Sequence, residues 1–177
     1  MIRATNKTKL MGWVLAGLAG WAGCGYSFSG TSLPAYIESV AIPTFRNDTL
    51  DATIASEVTR GVTERFVQDN RLKIGREASA GAVLEGRVVA YERNVYNYNA
   101  SQVPESYIIV VRVSVVLKDR VKNRDLWKDE ALTSTATFPA EGQQAVGAGT
   151  PQDEQEARDA VVKNLAQDIL AKTLEQW

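Results

Sequence analysis

Two stretches between Val83 and Lys118 alternate with period two over more residues than a short loop-rich fold could absorb, and they constrain the chain most. From Val83 to Tyr91, Leu84, Gly86, Val88 and Ala90 share one face, while Glu85, Arg87, Tyr91 and then Arg93 fall on the other. From Ser106 to Lys118, Tyr107, Ile109, Val111, Val113, Val115 and Leu117 line one side, and Arg112, Ser114 and Lys118 interrupt the other. The second stretch reads as the central strand. The polar, Asn-rich connection from Asn94 to Glu105 suits a long antiparallel hairpin better than a helical crossover. The outer face of this hairpin is not cleanly polar, because Val89, Tyr91, Val95, Ile108, Val110 and Val116 are assigned to it. A partner surface, a ligand, a second layer or a slightly apolar exposed sheet would each account for that.

The rest of the chain can be placed against this ribbon. Ile37–Pro43 supplies a first strand and Phe45–Thr49 a turn, and Asp48 or Asp51 can cap a helix reaching about Gln68. Ile54, Val58, Val62 and Phe66 recur every fourth residue in that helix and form its buried stripe; Arg60 and Glu64 read as a solvated pair. Arg71–Ile74 is a short strand and Leu126–Phe138 a longer one. Residues 140–150, rich in Gly, Ala and Gln, read as a flexible loop. Thr150, Pro151 and Asp153 then signal a second helix running to the C-terminus, with Val162, Leu165, Ala166, Ile169, Leu170, Thr173, Leu174 and Trp177 as its apolar stripe. The expected fold is α+β, a two-layer sandwich with two helices on one face of a largely antiparallel four-stranded sheet.

Composition excludes much chemistry. The 177 residues hold no histidine and one cysteine, which removes the common zinc sites, Ser-His and Cys-His pairs and any intrachain disulfide. No Gly-rich phosphate loop or nucleophile elbow is present, so no catalytic residue, cofactor or metal is expected and the chain reads as a non-enzyme. The formal charge of −1, with signs mixed along the chain, gives no footprint for nucleic acid.

Residues 1–23 read as a lipoprotein signal peptide: Arg3, Lys7 and Lys9 precede an apolar run from Leu10 to Gly20 that is too short to span a bilayer. Trp21-Ala22-Gly23-Cys24 resembles a lipobox, which would make Cys24 the acylated first residue of the mature chain, anchored in a membrane. The alternative is a secretory signal with an incidental cysteine. Residues 24–34 then form an acylated tether and 35–177 a single domain. Removing the leader leaves 17 basic against 21 acidic residues, near −4.

Cys24-Gly25-Tyr26-Ser27-Phe28, then Leu33-Pro34, Ile37, Val40-Ala41-Ile42-Pro43, Phe45 and Asn47, then a helix, Arg71-Leu72 and a Val-rich ribbon, closely resemble the LptE family of lipopolysaccharide-assembly lipoproteins over nearly the whole mature chain. That resemblance implies an outer-membrane location, facing the periplasm, and a 1:1 complex in which the domain plugs the lumen of an LptD-type β-barrel, helps it assemble and assists lipopolysaccharide insertion. Gly25 instead of Asp after Cys24 fits the sorting rule for outer-membrane export. The resemblance also implies basic contacts to lipopolysaccharide near the hairpin tip and on a later strand, for which Arg93, Arg112 and Lys128 are candidates. Cross-strand ion pairing is the alternative for each. Tyr91, Tyr96 and Tyr98 are candidate partner contacts; the tip tyrosines could equally fold back on the sheet. Val40-Ala41-Ile42-Pro43-x-Phe45-x-Asn47 also resembles the opening of periplasmic protein-binding lipoproteins of the curli-secretion and TolB N-terminal type.

Overall fold

The computed structural model describes residues 33–145 and 147–175, so the leader, Cys24, most of the tether and Trp177 lie outside the described residues. Residues from Thr31 onward form one compact unit. In chain order its elements are β1 (Ser39–Ala41), β2 (Arg46–Asn47), α1 (Ile54–Asp69), β3 (Lys73–Ile74), β4 (Ala82–Tyr98), β5 (Pro104–Asp119), β6 (Arg124–Pro139) and α2 (Glu154–Glu175). The described strands form one mixed sheet in the order β3-β1-β4-β5-β6, with β2 pairing β4 beyond β1. β4, β5 and β6 make the antiparallel ribbon, and β1, β2 and β3 join in parallel. The four-stranded expectation is therefore corrected to six. Two of the additions to the ribbon are two-residue strands, too short for any periodicity to announce, and Phe45–Thr49 is part strand where a turn alone is expected.

Both helices pack on one face. Ile109, Val111, Val113, Val115 and Leu117 of β5 are fully or almost fully buried and share a core with Ile54, Val58, Val62 and Phe66 of α1 and Val161, Leu165, Ile169 and Leu174 of α2. Fully burying one such side chain stabilises the fold by roughly 1.5–3 kcal/mol. The sheet fits an aromatic ring to one missing side chain: a Cβ on Gly86 would lie 2.2 Å from Phe45 Cε2, so Phe45 lies across the glycine and seals the edge of the core. Similarly, a Cβ on Gly61 would meet Val162 Cγ1 at 2.4 Å, which lets α1 and α2 approach closely.

Asp51 caps α1: its Oδ1 accepts from the amides of Thr53 and Ile54 at 2.9 Å each. Asn47 braces the approach, taking the Thr49 amide at 3.0 Å and donating to the Asp51 carbonyl at 2.6 Å. Asn70 closes the helix in the left-handed conformation at φ 59°. α2 starts later than the Thr150-Pro151 signal suggests, because Asp153 is the residue whose side chain takes the Glu156 amide, at 2.9 Å. Residues 140–145 and 147–150 belong to the connection, with turns at positive-φ Gly142, Gly147 and Gly149.

The sheet runs the chain between two ends. Because β1 is parallel to β4 and β4 is antiparallel to β5, the chain enters at the end that carries the β5–β6 turn, opposite the β4–β5 hairpin tip.

Candidate binding face and hairpin tip

A register shift between Val88 and Ala90 decides which side chains of β4 face where. Val88 pairs with Val113 and Ala90 with Arg112, so Val89 is the extra residue of a bulge and the side chains from Ala90 to Val95 change face, up to a second shift between Val95 and Asn97. Tyr91 stands beside Val111, Arg93 beside Ile109 and Val95 beside Tyr107, all on the helix side. This corrects the expectation that Tyr91, Arg93 and Val95 lie on the outer face. Arg93 Nε is 3.2 Å from Glu154 Oε2 of α2, and its guanidinium sits 4.0 Å above the Tyr107 ring, itself stacked on Phe138. Its charge is committed within the domain.

Tyr91 joins a clasp that sequence spacing does not reveal. Arg158 of α2 donates to Asp51 Oδ2 at 2.8 Å, to Glu57 at 3.1 Å, to the Tyr91 hydroxyl at 3.1 Å and to Thr53 Oγ1 at 3.0 Å. The Tyr91 hydroxyl in turn donates to Glu154 Oε1 at 3.4 Å. The Arg158 guanidinium holds the Asp51 carboxyl well below the usual carboxylate range, burial opposing and the Thr53 and Ile54 amides assisting. Arg158 itself is raised, first by Asp51, against burial. Burial pushes the Tyr91 phenol up, with Arg158 acting the other way. The group ties the N-terminus of α1, the middle of β4 and the first turns of α2 together, so Tyr91 is a structural residue here.

The outer face carries the remaining candidates. Glu85, Arg87 and Ala90 of β4 lie beside Val116, Ser114 and Arg112 of β5, and Arg112, Val110 and Ile108 lie beside Thr133, Thr135 and Thr137 of β6. Apart from the β3–β4 connection, whose Ala80 buries Val83 and Ala41 at the base, no described element covers this face. Most of its cations are paired: Lys118 Nζ is 2.8 Å from Glu85, Arg87 is 3.0 Å from Asp48, and Lys128 Nζ is 2.5 Å from Glu130. Lys128 is thus ion-paired, though along its own strand and not across strands as the alternative expected. Arg112 is different: half-buried among Ala90, Val110 and Thr133, it has no hydrogen-bonding or ion-pairing partner among the described residues. Arg46 shares the property, and its register with Arg87 sets it on the same face. Arg46 was missed in the sequence because β2 is too short to assign a face by alternation.

At the tip, Tyr96, Tyr98 and Val103 are 62%, 54% and 52% exposed, so the tyrosines do not fold back on the sheet. The turn beneath them is rigidly bonded: Asn99 Oδ1 accepts the amides of Ser101 and Val103 at 2.9 Å each, and Gln102 adopts φ 61°. Asn97 donates to Glu105 at 3.2 Å and accepts from Ser106 Oγ. Beside Tyr96 these residues, with Thr137 and Phe138, line an open cleft of about 310 Å³.

The domain is a two-layer α+β sandwich that presents a long, partly apolar sheet face and an aromatic hairpin tip. Known structures share the architecture: a point-variant PelC dodecamer from Paraburkholderia phytofirmans is similar at TM-score 0.53 and 17% identity, over 82% of this chain and 95% of that one. The hypothetical protein CT253 from Chlamydia trachomatis is similar at TM-score 0.54 and 11% identity, over 76% and 94%. At such identities the likeness establishes the fold alone. No curated protein sequence matches. The family model described as LptE, lipopolysaccharide-assembly, matches residues 37–173, and the chain belongs to that family.

Proposed function

We propose that the protein is an outer-membrane lipoprotein, acylated at Cys24, whose domain faces the periplasm, plugs the lumen of an LptD-type β-barrel in a 1:1 complex and assists lipopolysaccharide insertion without catalysing a reaction. The observation that carries this reading is the exposed outer face of β4, β5 and β6: Ile108, Val110 and Val116 run beside Arg112, which lacks a partner among the described residues. A barrel wall would cover the apolar row. A phosphate-bearing glycolipid would supply the paired hydrogen bonds a guanidinium favours. Of the three basic candidates Arg112 is the one the fold leaves available, since Arg93 is held by Glu154 and Lys128 by Glu130.

The family match supports this reading over a protein-binding lipoprotein of the curli-secretion or TolB type. In that motif, Phe45 is a core residue and Asn47 a helix brace, roles any such domain could use. Solubilising membranes in mild detergent and capturing the tagged chain tests the proposal. A large β-barrel recovered in equal amount, cross-linked to a photoreactive residue placed at Val110, is expected; capture of a secretion ring or of no barrel would overturn it. In a lipopolysaccharide-binding assay Arg112→Glu should lose more than tenfold, while Lys128→Glu should change little.

A further inference from the structure

Eight cations have no carboxylate partner among the described residues, and four of them, Lys73, Arg76, Arg120 and Lys122, gather at one end of the sandwich, on the β3 segment and the β5–β6 turn. They belong to one surface. Arg120 donates to the Glu77 carbonyl through its side chain and to the Gly81 carbonyl through its amide, and Lys122 Nζ lies 4.9 Å above the Tyr36 ring. The Tyr36 hydroxyl donates to Asp119 at 2.5 Å. Asp119 is buried and also accepts the Val121 and Lys122 amides at 2.9 and 3.0 Å, which fixes the turn so that Val121 projects, 67% exposed. Tyr36 and Ile74 add further exposed apolar surface, each at 39%. Exposed apolar side chains stand here beside four cations that form no ion pair among the described residues, and the carboxylates Glu38 and Glu77 beside them are fewer than those cations. Such a surface suits a headgroup layer, where Lys and Arg meet phosphate and an aliphatic tip enters the acyl boundary.

Leu33 and Pro34, the described residues of the tether, lie at this end. Leu33 and Pro34, with Leu72, Lys73 and Leu174, wall a cleft here, and Cys24 stands nine residues earlier in the chain. We infer that this base of the sandwich docks on a bilayer surface bearing anionic phospholipid, a contact separate from the outer-face site. The inference rests on the lipoprotein reading for its setting, and the docking chemistry belongs to the domain itself. A domain near −4 would be repelled by such a surface unless it turned its cationic end towards it.

Residues 31–177, a compact unit without any cysteine, allow the test without acyl chains. This fragment should co-sediment with vesicles of mixed phosphatidylcholine and phosphatidylglycerol and not with phosphatidylcholine alone. Arg120→Glu and Lys122→Glu should each lower partitioning about fivefold or more, with unchanged circular dichroism. An environment-sensitive dye on Val121→Cys should shift to the blue on the anionic vesicles, and the same dye on Thr135→Cys should not. Equal partitioning of wild type and both reversals, or a shift at position 135 instead of 121, would overturn the inference. The mass of the full chain recovered from cells reports acylation separately: acylated chain with a fragment that ignores vesicles sinks the docking and spares the lipoprotein reading, and the converse result does the opposite.

Discussion

Arg158 shows how one side chain can hold three elements in place. Its head is 12% exposed and faces Asp51 and Glu57, so removing one carboxylate leaves a poorly solvated charge with half its partners. Asp51→Asn should therefore destabilise residues 31–177 by about 2–3 kcal/mol, less than the ~3–5 of a fully buried pair because Glu57 remains. The pH dependence has a definite sign. Asp51 is lowered by Arg158, Asp69 by Arg71, and Asp129 by the Ala131 amide and then Lys172. Below the ordinary carboxylate value of about 4 the unfolded chain takes up protons that the folded chain refuses, so stability is full above that value and falls as the pH drops through the lowered ones. Urea midpoints measured between pH 5 and pH 2 should fall more steeply for the wild type than for Asp51→Asn. Of this clasp only the helix-capping role of Asp51 was legible in the sequence, because Arg158 lies 107 residues from Asp51 and sits in no motif.

At the scale of the element, the ribbon behaves as its alternation predicts up to one residue. Val113 is fully buried between Val88 and Leu132, and Val113→Ala should cost roughly 1–3 kcal/mol; an unchanged urea midpoint would place it on the other face. Gly86→Ala drives a methyl into the Phe45 ring and should cost about as much, by overpacking. The β5 register was readable because six apolar residues recur at every second position without interruption. β4 was readable only as far as Val88: a bulge adds a residue without altering composition, so Tyr91 and Arg93 were assigned to the wrong side. The helical stripes were legible for the same reason as β5, repeated spacing over several turns. Tip exposure was left open by composition, since two tyrosines among asparagines fit either outcome, and the Asn99 turn decides it.

For the whole molecule, exposed large apolar side chains collect at two ends: Tyr96, Tyr98 and Val103 at the hairpin tip, Tyr36, Ile74 and Val121 at the base, with Leu50 and Val67 apart from both. We propose different tasks for these ends: the base meets the bilayer surface, and the tip meets the barrel or lipopolysaccharide. Replacing Tyr96 and Tyr98 together by Ser should leave thermal unfolding unchanged and weaken barrel capture or lipopolysaccharide binding; a double variant unimpaired in both assays would remove the tip from the mechanism. Cys24→Ser, by contrast, should leave the domain's fold untouched and yield a precursor lacking acyl mass, since no second cysteine can replace it. A variant that still matured with acyl chains would exclude Cys24 as their acceptor.

The length of β4 has a further meaning once its two ends are distinguished. Seventeen residues of continuous strand from Ala82 to Tyr98, at about 3.3 Å each, make a strut of about 55 Å. A bilayer with its headgroups measures about 40–45 Å. If the base meets a bilayer as inferred above, the sheet acts as a gauge: it holds Tyr98 at one end of β4 farther from Ala82 at the other than a membrane is thick. Inserting or deleting two residues in each of β4, β5 and β6 would preserve the alternation of faces and the pairing while changing that interval.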